Sequence, residues 1–180
     1  PLIKKDLINL NNIIIDSKSG YSGAGRGVHK KYANKNLYES LSAYGVGFHR
    51  HNSEIEQEIE KVTNKKFNFT FTPHLTPMFR GILSTLYIDS KRKMSIHMLY
   101  RALKDFYKNK PFIKILKPNT LISTNDVINT SYCYMSVCKT RYINKFIILS
   151  ALDNLIKGGA GQAVQNMNIK FNLNQTKGLK

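Results

Sequence analysis

Long apolar runs, cysteine, tryptophan and acidic side chains are what this 180-residue chain has least of, and three of these shortages exclude something. The longest apolar stretches, residues 13–15 and 146–149, fall far short of the roughly 20 residues that a membrane-spanning helix needs, so no membrane association is expected. Two cysteines, Cys133 and Cys138, are too few for a disulfide scaffold and the wrong count for a structural zinc site, which suits a reducing, cytoplasmic setting. With 11 acidic against 28 basic residues the formal charge is +17, a field that would attract polyanions. The basic set is 22 Lys and 6 Arg scattered among Asn and Ile, whereas phosphate readers cluster such residues on one face. Nucleic acid is therefore not the expected partner.

Present in quantity are apolar residues, 42% of the chain, with ten Tyr and nine Phe, a composition that packs into one main domain. Residues 1–10 place Leu2, Ile3, Leu7 and Leu10 at helical spacing, the end of a helix. Ile13, Ile14 and Ile15 predict a buried strand, after which the glycines at 20, 23, 25 and 27 should forbid regular structure and start a polar loop to about residue 36. Ser53 and Glu56 have the spacing of a capping box, and Ile55, Ile59 and Val62 share a face, predicting a helix over 53–62. Phe67, Phe69 and Phe71 alternate like a half-buried strand, which Pro73 and Pro77 should end.

Further strands are expected over 82–88, 111–115, 131–137 and 146–152, the last two as an adjacent antiparallel pair, with helices over 95–107 and 160–167 and a terminal segment over 168–180. No period of 20 to 50 residues repeats, so a solenoid is excluded. An irregular mixture of strands and helices argues for an α+β domain on a mixed, largely antiparallel sheet.

Three stretches carry chemistry. The loop at 19–26 is glycine-dense without matching either standard phosphate loop; it suits either a simple surface turn or a site where Arg26 could hold a carboxylate or phosphate by two parallel bonds. His49-Arg50-His51 with Glu54 places two imidazoles beside a helix start and a carboxylate; in isolation such a pair is more often two inert exposed histidines, yet it also suits proton transfer near neutral pH with Glu54 as the orienting group. No further ligand has metal-site spacing there, so no metal is expected. Residues 153–162 carry polar side chains and glycines into a helix start, suiting either an anionic ligand or simply a tight connection. Cys133 and Cys138 are expected to be buried thiols rather than nucleophiles.

Taken together, Lys18-Ser19-Gly20-Tyr21-Ser22-Gly23-Ala24-Gly25-Arg26, HRHNSEIEQE from His49, FTPHLTPMFRG from Phe71 and DNLIKGGAGQAVQNMN from Asp153 resemble the N-acetyl-gamma-glutamyl-phosphate reductases of the aspartate-semialdehyde dehydrogenase superfamily. The resemblance implies NADPH-dependent reduction of N-acetyl-L-glutamyl 5-phosphate to the 5-semialdehyde, a step of arginine biosynthesis. It also implies a fold like the C-terminal domain of glyceraldehyde-3-phosphate dehydrogenase, with helices on one face of the sheet and no Rossmann domain. The family's cysteine nucleophile lies in an upstream N-P-G-C-Y-P-T motif that is absent here, so the chain is expected to be the C-terminal part and to be inactive alone.

By similarity His51 is the first choice for general acid/base, with Glu54 as orienter and His49 second. Ser19, Ser22, Arg26, Tyr44 and Arg80 are the substrate-binding candidates, while Asn154, Lys157 and Gln162 should line the nicotinamide side of an NADP bound mainly by the missing domain. Residues 1–153 would form the substrate and dimerisation domain and 154–180 a segment returning to the nucleotide domain. A homodimer or homotetramer is implied, and the alternative is a non-catalytic interaction module derived from the family. Ser53 replaces the proline usual in the histidine motif, and Asn129-Thr130-Ser131 replaces a usual Gly-Ser-Asn.

Overall fold

The computed structural model describes residues 1–25 and 39–180. Seven strands form one sheet: β1 Ile13–Gly20, β2 Ser42–Ala43, β3 Phe69–Thr76, β4 Ile82–Asp89, β5 Ile113–Ile115, β6 Cys133–Lys139 and β7 Lys145–Leu152, in the spatial order β2-β3-β1-β4-β7-β6-β5. β1 runs parallel to β3 and β5 parallel to β6, and the remaining neighbours are antiparallel, so the sheet is mixed and largely antiparallel as expected. Three α-helices are described: α1 Asn52–Glu60, α2 Ile96–Tyr107 and α3 Gly161–Lys170.

Alternation along the strands sorts side chains onto two faces. On one face Ile13, Ile88, Phe146, Ile148 and Val137 pack against Leu99, Ala102 and Leu103 of α2, whose apolar stripe is what makes it a helix that must dock. On the other, Val127 and Ile122 from the loop after β5 cover Ala151, Leu83 and Leu149. Among the described residues, Thr70, Ile14, Tyr87 and Ile147 line up in register across four strands farther along this second face, with Ile14 and Tyr87 about 40% exposed.

Several sequence expectations are corrected. Residues 1–6 form turns, with Asp6 at φ 54°, rather than a helix end. β1 continues through Ser19 to Gly20 because it is paired on both sides, with β3 and β4. Pro73 sits inside β3 instead of ending it: its carbonyl accepts from the Tyr44 N–H, so its missing N–H falls on the side of the two-residue edge strand and costs the β1 ladder nothing. The expected Ser53 capping box does not form, since α1 starts after His51 and the Ser53 hydroxyl donates to the Arg50 carbonyl; the capping box present is Ser123 with Asp126. The last helix runs to Lys170 instead of ending at 167, and buried Asn168 donates to the carbonyls of Gln175 and Lys177, folding the terminal segment back.

Candidate active site

Ser19, Ser22, Arg80 and Asn154 come together at one end of the sheet, where β1 and β3 finish, β4 begins and β7 ends. The chain leaves β1 as a 3-10 turn, Tyr21–Ala24, that lies against the loop joining β3 to β4. Gly20, Tyr21 and Ser22 donate their N–H groups to the carbonyls of Gly81, Met78 and Phe79 at 2.8, 3.0 and 3.1 Å. Gly20 admits no side chain here, since a Cβ would lie 2.6 Å from the Phe79 carbonyl oxygen. The Gly81 N–H donates to the Asn154 Oδ1 at 2.7 Å, and the Asn154 Nδ2 donates to the Ser22 hydroxyl at 2.9 Å, so one buried asparagine ties both loops to the end of β7. Ser19 lies on the same strand end, donating to the Gly20 carbonyl, and Arg26 falls outside the described residues.

Asp153, fully buried, is the anchor that sequence reasoning did not assign. Its Oδ1 accepts from the N–H groups of Leu155 and Ile156 at 2.8 and 2.9 Å. Its Oδ2 accepts from the Asn129 N–H at 2.8 Å and the Arg80 Nη1 at 3.3 Å, and that guanidinium also donates to the Asn129 side chain. Its signal was present: an aspartate that ends a buried strand is tolerated only when donors surround it.

The histidines occupy a different setting. After β2 the chain makes a tight excursion through Gly45 and Gly47, both at positive φ, and enters α1 directly after His51. The His49 ring packs edge-on against Tyr44, His51 and Phe71, with centroids 5.4, 4.7 and 5.3 Å apart. Its Nδ1 accepts from the His51 backbone N–H at 3.2 Å. Burial, with His51 and Arg50 adding to it, pushes His49 below its ordinary value, and Glu54 only partly opposes this. The ring is therefore neutral at pH 7. His51 and Glu54 are exposed. Both settings hang on β3, which carries Phe71 under His49 and leads through Thr76 to Arg80, the strand part spanning roughly 16 Å.

Lys157, just before α3, and Gln162, in its first turn, are brought together: the Lys157 ammonium donates to Gln162 Oε1 and Gln165 Oε1, each at 2.8 Å. Burial lowers Lys157, and it pushes the Cys133 thiol up despite a hydrogen bond to Ser150. Cys133 is thus a buried thiol in its protonated form, as expected, and Cys138 on the same strand is half-buried. No group of three metal-ligating side chains occurs among the described residues. Nor is any described helix long and apolar enough to cross a membrane.

Known proteins resemble this chain in sequence and in fold. The chain is 45% identical, over 99% of its length, to the N-acetyl-gamma-glutamyl-phosphate reductase of Thermoanaerobacter pseudethanolicus, of which it covers 52%. It is 44% identical to a probable chloroplastic N-acetyl-gamma-glutamyl-phosphate reductase of Arabidopsis thaliana, covering 99% of the chain and 45% of the relative. The chain thus spans about half the length of these curated relatives. In fold it is similar to a probable aspartate-semialdehyde dehydrogenase from Pseudomonas aeruginosa, with a TM-score of 0.68 at 15% identity over 92% of this chain and 57% of that one. The profile of the family described as "Semialdehyde dehydrogenase, dimerisation domain" matches residues 1–154, and the chain belongs to that family.

Proposed function

We propose that this chain is the substrate-binding and dimerising half of an NADP-dependent N-acetyl-gamma-glutamyl-phosphate reductase. The observation that carries the reading is the division of labour within the histidine pair. His49 is held neutral, packed among aromatic rings, with its Nδ1 occupied by the His51 N–H. His51 is left exposed, next to the first turn of α1, as the imidazole free to move a proton. In this reading His51 takes the proton from the attacking thiol and returns one to the departing oxygen, while Glu54, in the first turn of α1, stabilises the charged ring.

Arg80, with Ser19, Ser22 and Tyr44, would grip the acyl phosphate and the carboxylate of N-acetyl-L-glutamyl 5-phosphate, a task suited to a planar guanidinium. Arg26 has the same chemistry. NADPH, bound mainly by a domain outside this chain, supplies the hydride. Gly158 and Gly159 are exposed beside half-buried Lys157, so a flat ring can approach the backbone there, and Asn154, Lys157 and Gln162 would line it. The nucleophilic cysteine would also come from outside, because burial keeps Cys133 protonated, and the chain alone would be inactive. The open row of Thr70, Ile14, Tyr87 and Ile147 is the surface through which two copies would pair as a homodimer.

The test is His51→Ala in the native polypeptide that carries this chain, assayed by phosphate-dependent NADP reduction with N-acetylglutamate semialdehyde. Turnover should fall by about 100-fold or more, with NADPH affinity unchanged. Turnover at the parent level would remove His51 from the mechanism.

A further inference from the structure

We infer that Asp153 is the positioning residue for Arg80: its buried carboxylate, together with the Asn129 side chain, fixes the guanidinium in the orientation that receives the anionic end of the substrate. The inference rests on the reading of Arg80 as a substrate-binding group. Arg80 sits on a connecting loop, and a long, flexible side chain there would normally sample many rotamers. Here one edge of its guanidinium is held by two oxygens from separate segments, Asp153 Oδ2 at the end of β7 and Asn129 Oδ1 in the turn before β6. Asp153 is itself held in place, since it is 0% exposed and accepts from three backbone N–H groups. Asn129, at φ 62°, is pinned by its own N–H to the same Oδ2.

The clamp leaves the rest of the guanidinium, on a side chain 26% exposed, free to meet a ligand. An arginine so held has little rotamer freedom left to lose on binding, which is how preorganisation raises affinity. Asp153 reaches further than this one side chain. By accepting from Leu155 and Ile156 it also sets the turn that follows Asn154, whose side chain fixes Gly81 and Ser22. One carboxylate therefore places both the arginine and the glycine turn opposite it.

The experiment uses the native polypeptide that carries this chain, with KM and kcat measured for the semialdehyde, for phosphate and for NADP. Asp153→Asn keeps one acceptor oxygen for Leu155 and Ile156 and turns an NH2 towards Arg80 and the Asn129 N–H, where donor meets donor. KM for phosphate or the semialdehyde should rise about tenfold with the KM for NADP unchanged. In an Arg80→Ala background the same substitution should add little, because the two act as a unit. An equal effect of Asp153→Asn with and without Arg80 would overturn the inference, as would an unchanged KM. Asn129→Gly keeps the backbone conformation and the N–H to Asp153 while deleting only the side-chain contact, so it decides the matter if Asp153→Asn does not fold. A rise of about threefold is expected for it, and none would overturn the inference. Arg80→Ala with unchanged KM values would instead sink the reading of Arg80 itself, a separate failure.

Discussion

The two ends of β3 are built by opposite means. At its C-terminal end the Arg80 loop, the Ser22 turn, Asn129 and Asp153-Asn154 are cross-linked by hydrogen bonds between residues up to 132 positions apart, one of them buried and the others part-buried. Near its start, the side-chain hydrogen bonds described within residues 47–53 are local: His51 N–H to His49, Asn52 to the Gly47 carbonyl and Ser53 to the Arg50 carbonyl span at most five positions. Phe48 beside them is 94% exposed. If the proposed roles hold, the difference teaches that the two tasks need different rigidity. A group that grips an anion gains from being fixed before the ligand arrives, whereas a proton carrier must reach solvent and the reacting atoms in turn.

The comparison breaks most visibly at Asp153. Asp153→Ala removes the shared acceptor of four donors and leaves Arg80 without its buried counter-charge, so unfolding free energy in urea should drop by about 3 kcal/mol. A drop below about 1 kcal/mol would mean that the anchored end is not anchored there. Phe48→Ser tests the other end. Because that ring is almost fully exposed, stability should change by no more than about 0.5 kcal/mol, and a larger loss would show that the histidine excursion is a packed element after all.

The smallest effect concerns pH. His49 has a folded pKa below its ordinary 6.5, so above that value both folded and unfolded chains hold it neutral and it contributes no pH dependence. As the pH falls through 6.5 the unfolded chain binds the proton first, so stability declines until the depressed folded value is passed. The Tm of the parent relative to a His49→Asn variant should therefore decrease from pH 7.5 to pH 5. A constant difference would show that the ring is as solvated as in the unfolded chain.

Much of the fold was legible because periodicity records burial. The paired apolar strands β6 and β7, the amphipathic α2 and the alternating phenylalanines each carry their face in the residue order. Pro73 misled because local propensity marks it as a breaker, and only the position of its carbonyl beside a two-residue edge strand makes it harmless. Ser53 misled in the same way, since a capping box with Ser53 as its first member needs the helix to start two residues later than it does.

The sequence by itself determined the composition of a packed α+β domain, the helix and strand periods, the family motifs and the identity of the histidine and arginine candidates. These are properties of residue type and short spacing, which local physics reads. Only the tertiary structure decided that Asp153 and Asn129 hold Arg80, that Asn154 ties two loops together, and that His49 is the packed ring while His51 is the exposed one. Hydrogen bonds between residues 24 to 132 positions apart leave no periodic trace, because which donor meets which acceptor is fixed by the order of strands in the sheet.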